Sequence, residues 1–197
     1  MSEAEQPTCH SQSQIRAAAK IARAKLTPVQ RLSASRLIAD RIIASDFFRN
    51  ADSIACYIPL ATEVDTWPII ECAWESKKRV FAPVVQKTSA LRFRRVQNRN
   101  ELSANKMGLL EPENGEFISA SALDVVLTPL VAFDSDRNRI GMGGGYYDRS
   151  FSFLRGGDQN LKPLLVGVAF DCQFVEKIAP NHWDIPLFRI FTESKVR

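Results

Sequence analysis

The segment Arg139-Ile-Gly-Met-Gly-Gly-Gly-Tyr-Tyr-Asp-Arg149 concentrates the chemistry-bearing residues of this chain, with four of its nine glycines between positions 141 and 145. Glycine lets the backbone approach a ligand closely and adopt positive φ. Between a buried strand and a helix, such a loop aims several N–H groups at a phosphate, and the helix N-terminus adds partial positive charge. Tyr146 stands where a dinucleotide-binding fingerprint needs its third glycine, and no Gly-Lys-Ser/Thr follows. The loop is therefore neither a Rossmann turn nor a P-loop. Arg139 can pair with phosphate. Asp148, one turn into the helix, can hold Mg²⁺ shared with phosphate oxygens. A flexible glycine turn followed by a helix-start Asp is the simpler alternative.

Two further segments carry carboxylates. In Ile58-Pro-Leu-Ala-Thr-Glu63-Val-Asp65-Thr66 the two acids lie two apart, so an extended stretch places them on one face. One of them can accept hydrogen bonds from ligand N–H groups, although Asp65 or Thr66 can equally cap the following helix. In Pro180-Asn-His182-Trp183-Asp184-Ile-Pro186, Asp184 is a second metal carboxylate if its loop faces the glycine loop. His182 reads as a surface group and Trp183 as packing. The run Arg92-Phe-Arg-Arg95 reads as a charged edge strand rather than a nucleic-acid motif. No G-x-S-x-G occurs and neither histidine has a marked partner, so nucleophilic catalysis is not supported.

The elements that must position these residues follow from pattern. Gln14–Lys25 is rich in Ala, Arg and Lys and predicts a helix. Thr27-Pro28-Val29-Gln30 is a capped start for a second helix, running to about Ser45. Short apolar runs predict strands at 53–59, 79–85, 91–96, 124–133, 164–170 and 187–192, with helices at about 66–77 and 146–154. Strands alternating with helices imply one α/β domain. The expected architecture is a mostly parallel open sheet, helices on both faces, and the first two helices as an N-terminal extension. Residues 1–11 read as a flexible tail and 12–197 as the domain. Ligands of such sheets collect at the carboxyl ends of strands, here the loops 59–66, 134–148 and 171–184.

Composition narrows the class. The 197 residues are 45% hydrophobic and carry 26 Lys and Arg against 22 Asp and Glu, a net charge of +4. That suits anionic ligands. No secretory signal and no apolar run long enough for a membrane span is visible. Four scattered cysteines and two histidines do not make a zinc site. Reduced thiols and a cytoplasmic location are the expectation.

Taken in order, Glu63-Val-Asp-Thr66, Leu110-Glu-Pro112, the 139–149 element, Val166-Gly-Val-Ala-Phe170 with Gln173, and Asp184 with Thr192-Glu193 resemble the 5-formyltetrahydrofolate cyclo-ligase family. The resemblance spans roughly residues 12–193. It implies a cytoplasmic, ATP- and Mg²⁺-dependent enzyme that converts 5-formyltetrahydrofolate to 5,10-methenyltetrahydrofolate, releasing ADP and phosphate. It assigns the ATP phosphates to Arg139, Ile140, Gly141, Met142, Gly143, Gly144, Gly145, Tyr146 and Tyr147. It assigns the folate formyl group to Met142–Tyr146, the pterin side to Ile58 and Glu63, the metal to Asp148 and Asp184, and catalysis to Arg139, Tyr146 and Asp148. Near the N-terminus the family carries a Lys and then an Arg, both close to ATP. Arg16 matches the Arg, but Gln12 stands at the Lys position, and Gly144 stands where some members carry Lys. The expected partners are ATP and the folate, which can be polyglutamylated; a monomer is expected, and nucleic acid and membrane are not. The alternative is a non-catalytic nucleotide- or RNA-binding module on the same scaffold.

Overall fold

The computed structural model describes residues 11–86, 90–155 and 162–197. Most of the predicted tail, with Cys9 and His10, lies outside them. The first helix, α1, spans Gln12–Ala24. It starts two residues earlier than its Ala-rich pattern suggests, because Ser11 and Gln14 form a capping box. The second, α2, spans Pro28–Ile43 and is capped by the predicted Thr27–Gln30 exchange. A short helix α3 covers Asp46–Asn50 and leads into strand β1, Ser53–Ala55. Then come α4 (Trp67–Glu75), β2 (Arg79–Val85), β3 (Leu91–Arg95), β4 (Leu102–Ala104), β5 (Leu110–Pro112) and β6 (Phe117–Ile118). The chain closes with β7 (Val125–Pro129), β8 (Ala132–Phe133), β9 (Arg139–Ile140), α5 (Tyr146–Ser150), β10 (Leu164–Val168) and β11 (Arg189–Phe191).

Seven strands form one sheet in the order β11-β10-β7-β1-β2-β3-β6. The first five are parallel; β3 and β6 add antiparallel. The Arg92–Arg95 strand is thus not the edge, which was the expectation. Phe117 of β6 covers it, with the Arg92 and Arg94 guanidiniums 3.6 and 4.2 Å from its ring centroid. The pleat sorts the apolar residues. Ile54, Val125, Leu127 and Val166 face α2 and α4, while Ala55, Val126 and Leu165 face the layer that holds Phe151 after α5. α1 packs separately, its Ile15 and Ala19 against Val131, Ala132 and Ile140. No helix among the described residues is long and apolar enough to cross a membrane.

Several predicted elements are shorter than their hydrophobic runs. The 124–133 run is cut after Pro129, and its continuation is a separate hairpin, β8–β9. The Gln173 side-chain amide donates to the Leu130 and Val131 carbonyls and so replaces a strand partner at the break. The 53–59 run leaves the ladder after Cys56, whose N–H still reaches the Phe81 carbonyl. Thr66 Oγ1 then donates to the Tyr57 carbonyl and folds the segment back. The 164–170 and 187–192 runs likewise shorten to β10 and β11. The 146–154 helix ends at Ser150 and resumes as one 3-10 turn, Ser152–Leu154, because Phe151 turns into the core.

At the amino end of the sheet, Asp124 accepts from the Asp52 and Ser53 amides, the Ser53 hydroxyl and Lys162. Partial burial opposes its charge, but these donors bring its pKa down from 3.8 to about 2. The folded pKa lies below the ordinary value. The stabilisation is therefore present above about pH 4 and is lost as pH falls toward 2. Asp124→Asn should cost about 1 kcal/mol at neutral pH once solvent screening is allowed for. Chemical denaturation at pH 7 and pH 3 checks it, since the gap between variant and wild type narrows at the lower pH.

Candidate functional site

The chain leaves β1 toward β2 on one side and leaves β7 toward β10 on the other, so strand order reverses between β1 and β7. Loops leaving adjacent strands in opposite directions open a crevice there. It is a cavity of about 320 Å³. Tyr57, Ile58, Leu60 and Glu63 wall it from the β1 exit, Pro83 and Val85 from β2, and Pro129, Leu130 and Val131 from the β7 exit. Met107, Leu109, Leu110 and Glu111 come from the β4–β5 hairpin. Of the residues singled out in the sequence, Arg139, Gly141, Met142, Gly144, Gly145, Tyr146, Tyr147 and Asp148 complete the wall.

The glycine loop joins β9 to α5. Gly143 has φ +104° and Gly145, the residue before the helix, φ +62°. The first value lies outside any region an L side chain adopts easily, and the second is left-handed helical. α5 has five residues, so any anion held here relies on loop N–H groups and arginines more than on a long helix dipole. Arg149 donates to the Gly144 carbonyl and closes the turn. Arg16 reaches across from α1, its Nε 2.8 Å from the Gly141 carbonyl, and its guanidinium carbon would lie 3.8 Å from a Cβ on Gly143. Gly143→Ala should cost about 1–3 kcal/mol of local strain and lower turnover at least tenfold by displacing the loop. Paired melting curves and initial rates check it: an unchanged rate would mean the loop need not hold this shape.

Arg139 is buried at the root of the loop. Its Nη2 lies 2.5 Å from Asp148 Oδ1 and its Nη1 donates to the Ile185 carbonyl, while the Ile185 amide returns a bond to Asp148 Oδ1. Burial pulls the Arg139 pKa down, and the fields of Asp148 and Asp184 push it back up. The guanidinium thus holds one carboxylate and one carbonyl, with Asp184 in its field, while still lining the cavity. Asp184 stands behind it, its Oδ2 accepting from the Asn181 amide and side chain. Among the described residues no three His, Cys, Asp or Glu side chains cluster as a self-contained metal site.

At the opposite wall Glu63 and Asp65 part company, contrary to the shared face expected of an extended stretch. Asp65 Oδ1 accepts from the Trp67 amide, 3.0 Å, and caps α4. Thr66, the residue before that helix, spends its hydroxyl on Tyr57. Glu63 turns into the cavity, one oxygen accepting from the Leu60 amide at 3.1 Å and the other 3.9 Å from Arg23. Burial raises its pKa, opposed by the Leu60 hydrogen bond and the Arg23 charge. Burial also pushes the Cys56 thiol up to about 12 and the Tyr57 and Tyr147 phenols above their usual range. Cys56 is therefore no nucleophile at neutral pH.

Gln12, Arg16, Ile140, Gly143 and Asp184 are not on the cavity wall. The Gln12 side chain donates to the Ala179 carbonyl, 3.0 Å. Ile140 packs its side chain under α1, leaving only its backbone toward the loop. The hairpin wall was not read from the sequence as a site, although Leu110-Glu-Pro112 stood among the ordered motifs. Glu111 Oε1 ties that hairpin down, accepting from the Val85 amide and Asn105 Nδ2, both 2.9 Å.

Comparison with known proteins bears on this crevice. The model of the 5-formyltetrahydrofolate cyclo-ligase family matches residues 8–193. The 5-formyltetrahydrofolate cyclo-ligase of Escherichia coli (strain K12) is 39% identical over 178 residues, 88% of this chain and 96% of that protein. That of Haemophilus influenzae is 35% identical over 181 residues, 90% of this chain and 95% of that one. The solved structure of Aquifex aeolicus 5,10-methenyltetrahydrofolate synthetase superposes with a TM-score of 0.81 at 30% identity, covering 94% of this chain and 91% of that one. A match over nearly the whole chain, in sequence and in fold, makes this protein a member of the 5-formyltetrahydrofolate cyclo-ligase family.

Proposed function

We propose that this chain catalyses ring closure of 5-formyltetrahydrofolate to 5,10-methenyltetrahydrofolate, driven by ATP and assisted by Mg²⁺, with release of ADP and phosphate. The observation that carries the reading is the crevice at the β1/β7 reversal, with the largely buried Glu63 carboxylate on one wall, the glycine loop and Arg139 on the other, and Arg16 behind that loop. Apolar walls from Ile58, Leu60, Val85 and Leu109 take the flat rings of the folate, and Glu63 accepts hydrogen bonds from pterin N–H groups. The ATP phosphates lie along Gly141–Gly145, cradled by backbone N–H groups and approached by Arg16 from α1. Gln12, fixed on the Ala179 carbonyl, lies in the helix turn before Arg16 and carries no charge to the nucleotide.

The carboxylates fit Mg²⁺ as a shared site rather than a cage. Asp148 and Asp184 flank Arg139, and Mg²⁺ takes one or two carboxylates with the rest of its shell from phosphate and water. When bound, the ion neutralises phosphate charge. The residues do the rest by position. Tyr146 and the loop hold the formyl oxygen against the γ-phosphorus. The oxygen attacks, the bond to the β-phosphate oxygen breaks, and N5 shares its lone pair to give an iminium-like carbon. N10 closes on that carbon and loses its proton, and phosphate leaves with the C–O electron pair. Such transfer depends on alignment and charge neutralisation and needs no protein nucleophile. The free thiols accord with a reducing, cytoplasmic setting. With ¹⁸O in the formyl group, the label should emerge in inorganic phosphate. Unlabelled phosphate alongside product would contradict the route.

A further inference from the structure

Among the described residues, the buried charged side chains are Arg23, Asp134 and Arg139. Asp134 is accounted for by backbone, accepting from the Asp136 and Asn138 amides of its own loop and from the Ile178 amide of a distant one. Arg139 is accounted for by Asp148. Arg23 has no part in the mechanism above. It sits in the last turn of α1, its Nη2 donating to Thr62 Oγ1 at 3.1 Å and its Nη1 3.9 Å from Glu63 Oε1. The two charged side chains are 7% and 11% exposed. A largely buried carboxylate without a counter-charge tends to take a proton, and a protonated Glu63 loses an acceptor the ligand needs. Arg16, which holds the glycine loop, lies seven residues earlier, two turns back on nearly the same face of α1.

We propose that Arg23 is a positioning residue for the folate end of the crevice: from the first helix it fixes the Thr62–Glu63 segment and supplies the counter-charge that keeps Glu63 an acceptor. α1 thereby spans both ends of the site, Arg16 at the nucleotide loop and Arg23 at the pterin wall. The assignment rests on the reading that Glu63 receives the pterin. Burial raises the Glu63 pKa; the Leu60 amide and Arg23 lower it. The other groups facing this cluster are Tyr57 and Cys56 from the β1 exit and Tyr147 from α5, all held protonated by burial. Cys172, near Asp171 and Glu193, also lies within the field of Arg23, and burial pushes its thiol up. Removing the Arg23 charge therefore moves Glu63 further up, and folate affinity should return only as pH rises.

The test is KM and kcat for 5-formyltetrahydrofolate at saturating ATP, pH 6 to 9, in wild type, Arg23→Gln and Arg23→Lys, with melting curves. Arg23→Gln should raise KM about tenfold at pH 7 with kcat within about twofold. Its KM should fall as pH rises, where the wild-type profile is flat, and adding Glu63→Gln should abolish that dependence. Arg23→Lys should recover the flat profile at a KM about threefold above wild type, because the guanidinium fork that reaches Thr62 with one nitrogen and Glu63 with the other is gone. Arg23→Gln with wild-type KM and pH profile, whatever its melting temperature, would overturn the proposal. Should Arg23→Gln not fold, Arg23→Lys decides: a raised KM at constant kcat supports the role, and an unchanged KM or a parallel loss of kcat and stability overturns it. Absence of turnover in folded wild type would instead overturn the functional reading, and this assignment with it.

Discussion

Asp148→Asn is expected to lower kcat by about 10²- to 10³-fold, with the fold intact. Asparagine keeps an oxygen to accept from Arg139 and from the Ile185 amide, the two bonds that Asp148 Oδ1 holds in the native site. What it removes is the negative charge beside the position proposed for Mg²⁺. Losing one preorganised electrostatic group at a reacting phosphate typically costs about 3–4 kcal/mol of transition-state stabilisation. Asp148→Ala would add a second effect, since it strands a buried guanidinium at a cost of about 3–5 kcal/mol, so the Asn variant is the informative one. The signature is a reduced rate that responds to raised Mg²⁺ concentration, with the melting temperature near wild type. A wild-type rate in Asp148→Asn would leave Asp148 as the structural partner of Arg139 alone.

Glu63→Gln should weaken folate binding by about 10- to 100-fold while leaving ATP affinity unchanged. Hydrogen bonds to a charged group are worth about 1.5–3 kcal/mol, and glutamine offers one acceptor where the carboxylate offers two. Glu63 is at the β1 exit, away from the loop that Arg16 and Arg139 hold, so the effect belongs to one substrate. Separate titrations with 5-formyltetrahydrofolate and with a non-hydrolysable ATP analogue check this. Equal loss for both ligands would mean that Glu63 supports the whole crevice rather than one end of it.

Local chemistry made much of this structure legible. Thr27 and Gln30 announced the start of α2, and the apolar runs located the parallel strands. The glycine cluster lies at the end of the reversal, where α/β sheets bind ligands. What stayed hidden depends on contacts distant in sequence. Pro129 signalled an irregularity, but that Gln173 would take over the Leu130 and Val131 carbonyls is a partnership across more than forty residues. Spacing put Glu63 and Asp65 on one face; a cap on Trp67 turned Asp65 away. The sequence marks Arg139 as able to pair with phosphate, and only the fold reveals Asp148, Ile185 and Asp184 around it. Arg23 read as one more helix-forming residue in an Ala-rich stretch, because nothing local marks a guanidinium that will be buried beside Glu63. The hairpin wall of the cavity was not legible as a wall, since its apolar residues have no periodicity of their own, although Leu110-Glu-Pro112 stood among the ordered motifs.

One crevice is proposed to join a folate and ATP for ring closure. The most direct test of that joining is the near-ultraviolet absorbance of the methenyl product when the purified, folded chain is mixed with 5-formyltetrahydrofolate, ATP and Mg²⁺. The absorbance should grow in step with released phosphate, one for one, and should vanish when ATP is omitted. Folded protein that yields no methenyl product across neutral pH and a range of Mg²⁺ concentrations, or that yields it without consuming ATP, would contradict the account.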